Sequence, residues 1–106
     1  MNRKIHFSIA SHNIVESIED YSKRLGCMPT VVVEHEYALW RTENMNFSIR
    51  YDLAAKPGEL RHLGWEDNSA NEFSTETDVN GIVWECFSEQ QQNDEIKTLW
   101  PNAIER

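Results

Sequence analysis

Two histidines and one glutamate stand out by where they fall. In KIHFSIAS, residues 4 to 11, Ile5, Phe7 and Ile9 alternate with Lys4, His6 and Ser8. Period-two alternation predicts a strand, with His6 on the face opposite the apolar stripe. LRHLGWE repeats the arrangement, His62 opposing Leu63 and Trp65, and IVWECFS sets Glu85 against Ile82, Trp84 and Cys86. A mid-strand imidazole on a polar face is either solvated or a metal ligand. A carboxylate there is either a ligand or a structural partner, and Arg50 is the candidate cation for it. Arg50 shares the polar face of NFSIRYD with Ser48, and its planar fork suits an anionic substrate group. His12 and His35 fall at a helix start and a turn and read as surface residues.

The elements that must position these residues are legible from periodicity and punctuation. After the first strand, SHNIVESIEDYSKRLG carries Ile14, Ile18, Tyr21 and Leu25 at helical spacing. Asn13 with Glu16 three residues on resembles a capping box, with Ser11 as the other N-cap candidate. Gly26 is the expected stop, and Pro29 lies beyond it. TVVVEHEYALWR predicts two strands, about 30–34 and 36–41, and NFSIRYD a third, giving the order β-α-β-β-β. LAAKPGE is a loop. Beyond LRHLGWE the chain is polar, with one short strand expected around 73–77, a hairpin turn at Asn80-Gly81 and a last strand in IVWECFS. EQQQNDEIKTLWPN has the length for a short helix ended by Pro101.

Composition narrows the function classes. The chain has 106 residues, the size of one small domain. Its formal charge is −8 and its pI near 4.9. That field repels phosphate backbones and anionic lipid, so neither nucleic acid nor membrane is an expected partner. No apolar run is long enough to span a bilayer or to form the core of a signal peptide. Cys27 and Cys86 form no disulfide framework or CxxC motif and read as reduced, partly buried thiols. A soluble, cytoplasmic protein is expected. Trp40, Trp65, Trp84 and Trp100 could build a core, line a pocket or cover a dimer interface; Trp65, Trp84 and Phe7 read as core.

Three stretches, in order, resemble the vicinal oxygen chelate superfamily, which includes glyoxalase I, bleomycin-resistance proteins, fosfomycin-resistance thiol transferases and extradiol dioxygenases. IHFSIASHNIVESIEDYSKRLG is similar to the first ligand strand and its helix, GELRHLGW to the second ligand strand, and TDVNGIVWECF to the closing hairpin with its ligand Glu. EYALW, NFSIR, RHLGW and VWECF resemble most the arsenical-lyase and cadmium-induced branch, although Cys27 and Cys86 do not match that branch's cysteine pair.

The resemblance implies an α+β fold in which βαβββ modules form a curled mixed sheet with a concave site. It implies one glyoxalase-like domain over residues 1–88, with a first module at 3–55, a shortened second module at 60–88 and a tail at 89–106. Only about fifteen polar residues stand where the family's second helix and a strand would be, so the second face is expected to be incomplete or completed by a partner chain, in a homodimer. His6, His62 and Glu85 match ligand positions for Fe2+, Mn2+, Ni2+ or Zn2+, Glu85 being also the catalytic candidate. Ser48 stands at the position of a fourth ligand and, with Arg50, is assigned to substrate. The function implied is a metal-dependent lyase, thiol transferase or dioxygenase acting on a small molecule. The alternatives are a metal-free, drug-sequestering protein of the bleomycin-resistance type and a degenerate, mainly structural homodimer with the aromatic residues at its interface.

Overall fold

The computed structural model describes residues 3–105. The first strand, β1 (Arg3–Ser11), leads into helix α1 (Ile14–Leu25). The Asn13 side chain caps α1 by accepting from the Glu16 N–H, while the Asn13 N–H donates to Ser11 Oγ. Asn13 is therefore the N-cap, and Ser11 rather than the Glu16 side chain takes up the Asn13 N–H. Gly26 ends the helix in the left-handed region, at φ 75°, and its N–H donates to the Ser22 carbonyl.

Strands β2 (Val31–Val33), β3 (Tyr37–Arg41) and β4 (Met45–Tyr51) follow, then β5 (Leu60–Asp67), β6 (Ser74–Thr77) and β7 (Val83–Phe87). Helix α2 (Glu89–Leu99) and a two-residue strand, β8 (Ile104–Glu105), close the described chain. The expected tail helix forms, with a complete capping box between Ser88 and Gln91. The strand β8 had no sequence signal. The expected hairpin turn at Asn80-Gly81 joins β6 to β7 antiparallel, within a loop over 78–82 in which Asp78 Oδ1 accepts from the N–H groups of Asn80 and Ile82.

The strands make one open mixed sheet in the order β6-β7-β5-β1-β4-β3-β2-β8. β1 pairs parallel with β4, β5 parallel with β7, and β1 and β5 meet antiparallel at the centre. One face of the β1–β4 half is covered by α1: Ile14, Ala38, Trp40, Phe47 and Ile49 form a buried core, joined by Phe7, Ile9, Ile18, Tyr21 and Leu25. The helical stripe read from the sequence is thus the stripe that packs. On the other face, Ile96 of α2 packs with Val31, Tyr37 and Leu39.

Candidate metal centre

The pairing register sets the site. His6 lies opposite Gly64 on β5, and Gly64 lies opposite Glu85 on β7, so the three share one row across the sheet. His62 is two residues from Gly64 on the same face, opposite Ser8. On β4, Asn46, Ser48 and Arg50 stand level with His6, Ser8 and Ala10. Glycine is needed at 64 because a Cβ there would run into the Glu85 carbonyl oxygen. It also leaves no side chain between His6 and Glu85.

One chain therefore brings together all three residues expected as ligands. His6 Nε2 is 2.9 Å from His62 Nε2, and Glu85 Oε1 is 3.1 Å from His62 Nε2 and 3.7 Å from His6 Nε2. Among the described residues this is the one group of three or more His, Cys, Asp or Glu whose donor atoms converge, all within 4.8 Å. Two donors each about 2.1 Å from one ion and at right angles are about 3.0 Å apart, so the spacing suits a shared cation. Two imidazoles and a carboxylate on one side of an ion leave positions open for substrate or O₂. The Ser8 hydroxyl beside them is buried without a hydrogen-bond partner, and it lines the cavity these groups face. A buried hydroxyl left unpaired is costly unless something in the cavity pairs with it.

His6 is not the solvated strand histidine that its polar face allowed; it is 2% exposed. Its ring is fixed from behind. Asn46 Nδ2 donates to Glu66 Oε1 at 2.8 Å and to Gln92 Oε1 at 2.7 Å. Those acceptors orient the amide, so Asn46 Oδ1 accepts the Nδ1–H of His6 at 2.7 Å. His6 Nε2 is then the unprotonated nitrogen, turned toward His62 and Glu85. Arg41 completes the network, donating to Glu66 at 2.8 Å and to Gln92 at 2.6 Å. Burial, assisted by the neighbouring His62, lowers the His6 pKa against the pull of Asn46 and Glu85. A neutral imidazole is the form that binds a metal.

The cavity, about 130 Å³, lies between this face and α2. Ser48 and Arg50, the residues the resemblance assigns to substrate, line it. Ser48 is hydrogen-bonded to Tyr37, whose phenol burial pushes well above its ordinary range. The Arg50 guanidinium lies 5.1 Å from the Trp100 ring centre and forms no ion pair with Glu85. Sequence reasoning missed Asn46, Glu66, Gln92, Glu95 and Arg61. Glu95, Ile96, Leu99 and Trp100 reach the cavity from the tail helix and the residue after it. The Glu95 carboxyl is raised by burial and by Glu85, against the opposing pull of His62 and Arg50.

Other expectations fall elsewhere. His12 and His35 are exposed, as read. Cys27 is exposed rather than partly buried, because it follows the helix stop at Gly26, and Cys86 is half-buried. Trp65 and Trp84 lie outside both buried core clusters, half-buried with ring centres 6.5 Å apart and Arg3 over Trp65. Phe7 packs against the core as expected. No helix among the described residues is long and apolar enough to cross a membrane.

No family model matches the chain, and no curated protein matches it. Solved structures do resemble it. A NAD-dependent benzaldehyde dehydrogenase from Legionella pneumophila aligns with TM-score 0.53 at 12% identity, over 81% of this chain and 97% of that one. A hypothetical protein from Staphylococcus aureus aligns with TM-score 0.54 at 15% identity, over 80% of this chain but 33% of that one. At these identities the likeness is one of fold.

Proposed function

We propose that the protein binds one divalent metal ion through His6 Nε2, His62 Nε2 and the Glu85 carboxylate, and acts on a small molecule in the manner of the vicinal oxygen chelate enzymes. The observation that carries this reading is the convergence of those three donors on one cavity. The parallel pairs β1/β4 and β5/β7, meeting through β1 and β5, support a βαβββ module beside a shortened second one. Glu85 forms no ion pair with Arg50, which favours a ligand role for that carboxylate over a structural pairing with Arg50. The bound ion would act as a Lewis acid and template for a lyase, thiol-transfer or oxygenase reaction. Asn46 holds His6 in the ligating tautomer, Glu85 lowers the charge of the site, and Glu95 keeps its proton to higher pH than an exposed carboxyl. Free thiols at Cys27 and Cys86 fit a cytoplasmic setting, and a homodimer remains part of this reading.

A second reading is a metal-free binding protein that sequesters a small molecule. It is favoured by the contacts of His62 Nε2 with His6 and Glu85, since the three groups partly satisfy one another. The sequence holds no G-x-G-x-x-G turn for a dinucleotide pyrophosphate and so lends no support to the NAD-dependent activity named for the Legionella protein.

The test is bound metal after anaerobic purification, in wild type and in His62→Ala. About one equivalent per chain, lost in the variant, is the expected result. A wild type that takes up none of Fe2+, Mn2+, Ni2+ or Zn2+ when each is offered overturns the metal reading in favour of the second.

A further inference from the structure

We infer that Arg50 and Arg61 form an oxyanion subsite in the same cavity, which makes the substrate a small molecule carrying a carboxylate or phosphate group. The inference deepens the proposed function by naming the substrate class, but the subsite is testable without metal.

The geometry behind it is a β-bulge. On β5, His62 pairs with Ser8 and Leu60 with Ile9, so Arg61 has no partner on β1. On a regular strand Arg61 would point to the face opposite His62. A bulge inserts one residue and re-aims its side chain, and Arg61 here lines the His62 cavity together with Arg50. Arg50 reaches it from β4, in the row of Tyr37 and Ala10, next to the row that holds His62, Ser8 and Ser48.

Two guanidiniums on one small cavity need an explanation in a chain with 18 acidic and 10 basic residues. Among the described residues neither forms an ion pair or a hydrogen bond. Asp52 and Glu85 act on Arg61 only at a distance, and burial and Arg50 disfavour its charge. Glu95 also faces the cavity and feels Arg50, but it forms no ion pair with either guanidinium, and burial and Glu85 favour its uncharged form. An incoming oxyanion would supply the missing acceptors, and guanidinium forks bind carboxylate and phosphate in bidentate fashion. The cavity is below the ~300–1,000 Å³ usual for drug-sized ligands, so the anion belongs to a small molecule.

Calorimetric titration of acetate and of methyl phosphate into metal-free and Mn2+-loaded protein tests this. Saturable one-to-one binding of at least one probe to metal-free wild type is expected, and the tighter probe identifies the head group. Arg50→Met and Arg61→Met should each weaken it about tenfold, and Arg61→Lys, which keeps the charge without the fork, by less. Thermal melting confirms that each variant is folded, and two variants on different strands guard against one failing. Metal uptake by Arg61→Met should match wild type. Undiminished anion binding in both methionine variants, or none to wild type, overturns the subsite. Anion binding by a protein that takes up no metal upholds the subsite and overturns the metal reading alone.

Discussion

The two halves of the sheet contribute to one site under very different support. The β1–β4 half has a helix on each face, α1 over a core built on Trp40, Phe47 and Ile49, and α2 over Tyr37 and Leu39. Among the described residues no helix covers the outer face of the β5–β7 half. Trp65, Trp84 and Arg3 cover it instead, and every residue of β6 is exposed. The ligands reflect this. The His6 side chain is 3% exposed and held by Asn46, whereas those of His62 and Glu85 are 15% and 17% exposed and touch mainly each other and His6. The site is therefore one anchored ligand facing two adjustable ones, and each half can be perturbed separately.

The largest effect should come from the anchored side. Glu66→Ala leaves the Arg41 guanidinium and the Asn46 amide buried without their shared carboxylate, and should cost about 3–5 kcal/mol of stability by urea denaturation. Burial alone would raise the Glu66 carboxyl, but hydrogen bonds from Arg41 and Asn46 and the charges of Arg41 and Lys4 outweigh it and hold it below its ordinary value. A depressed carboxyl adds stability that is present above the unfolded pKa and is lost as pH falls through the folded one. Metal-free wild type should therefore lose stability below about pH 4.5, and Glu66→Gln should flatten that decline while lowering stability at pH 7. An unchanged acid limb in the variant would show that Glu66 is not the group responsible. Next in size is Gly64→Ala. The added methyl meets the Glu85 backbone at the β5–β7 seam, and a loss of about 2–3 kcal/mol is expected, with weakened metal uptake. Full stability with full metal binding would mean that β7 can shift away freely.

The anchored half was also the more legible one. Period-two strands, the α1 stripe and the Gly26 stop follow from local patterns, and those patterns agree with the packing around Trp40 and Phe47. His6, His62 and Glu85 were visible because each interrupts its strand's polar face with a ligating group. What stayed hidden depends on partners far apart in sequence. Asn46 is an ordinary polar residue on β4 until Glu66 and Gln92 orient it. Arg61 reads as a residue of the opposite face because one extra residue in a strand leaves no compositional mark. The tail helix showed its length, but nothing local says that Gln92 and Glu95 turn onto the sheet. Gly64, mid-strand and two residues after a candidate ligand, was the available clue to a close approach of β7.

Comparing the two histidines directly sharpens the contrast. His6→Ala removes a buried ring and takes a donor from Asn46 Oδ1, so about 2–3 kcal/mol of stability should go together with the metal. His62→Ala should remove metal binding at a cost below about 1 kcal/mol, since its ring is partly exposed and its Nε2 contacts are with the other two ligands. Equal stability losses in metal-free protein would refute the anchored-versus-adjustable division, even if both variants lose the ion.

The smallest expected effect on stability is also the most specific to function. Ser8 lies level with His62 and Ser48, fully buried, and its hydroxyl has no partner. Replacing an unpaired buried hydroxyl with a methyl group removes a desolvation cost and no hydrogen bond, so Ser8→Ala should be neutral or more stable by up to about 1 kcal/mol. If the hydroxyl instead serves a bound small molecule, the same variant should bind that molecule more weakly while taking up metal as wild type does. Calorimetry with the anion that binds wild type separates the two roles. A variant that gains stability and loses affinity would mark Ser8 as a position where folding stability yields to ligand binding. A variant that loses stability would mean that the hydroxyl has a partner in the resting protein, such as an ordered water held between β1 and α2.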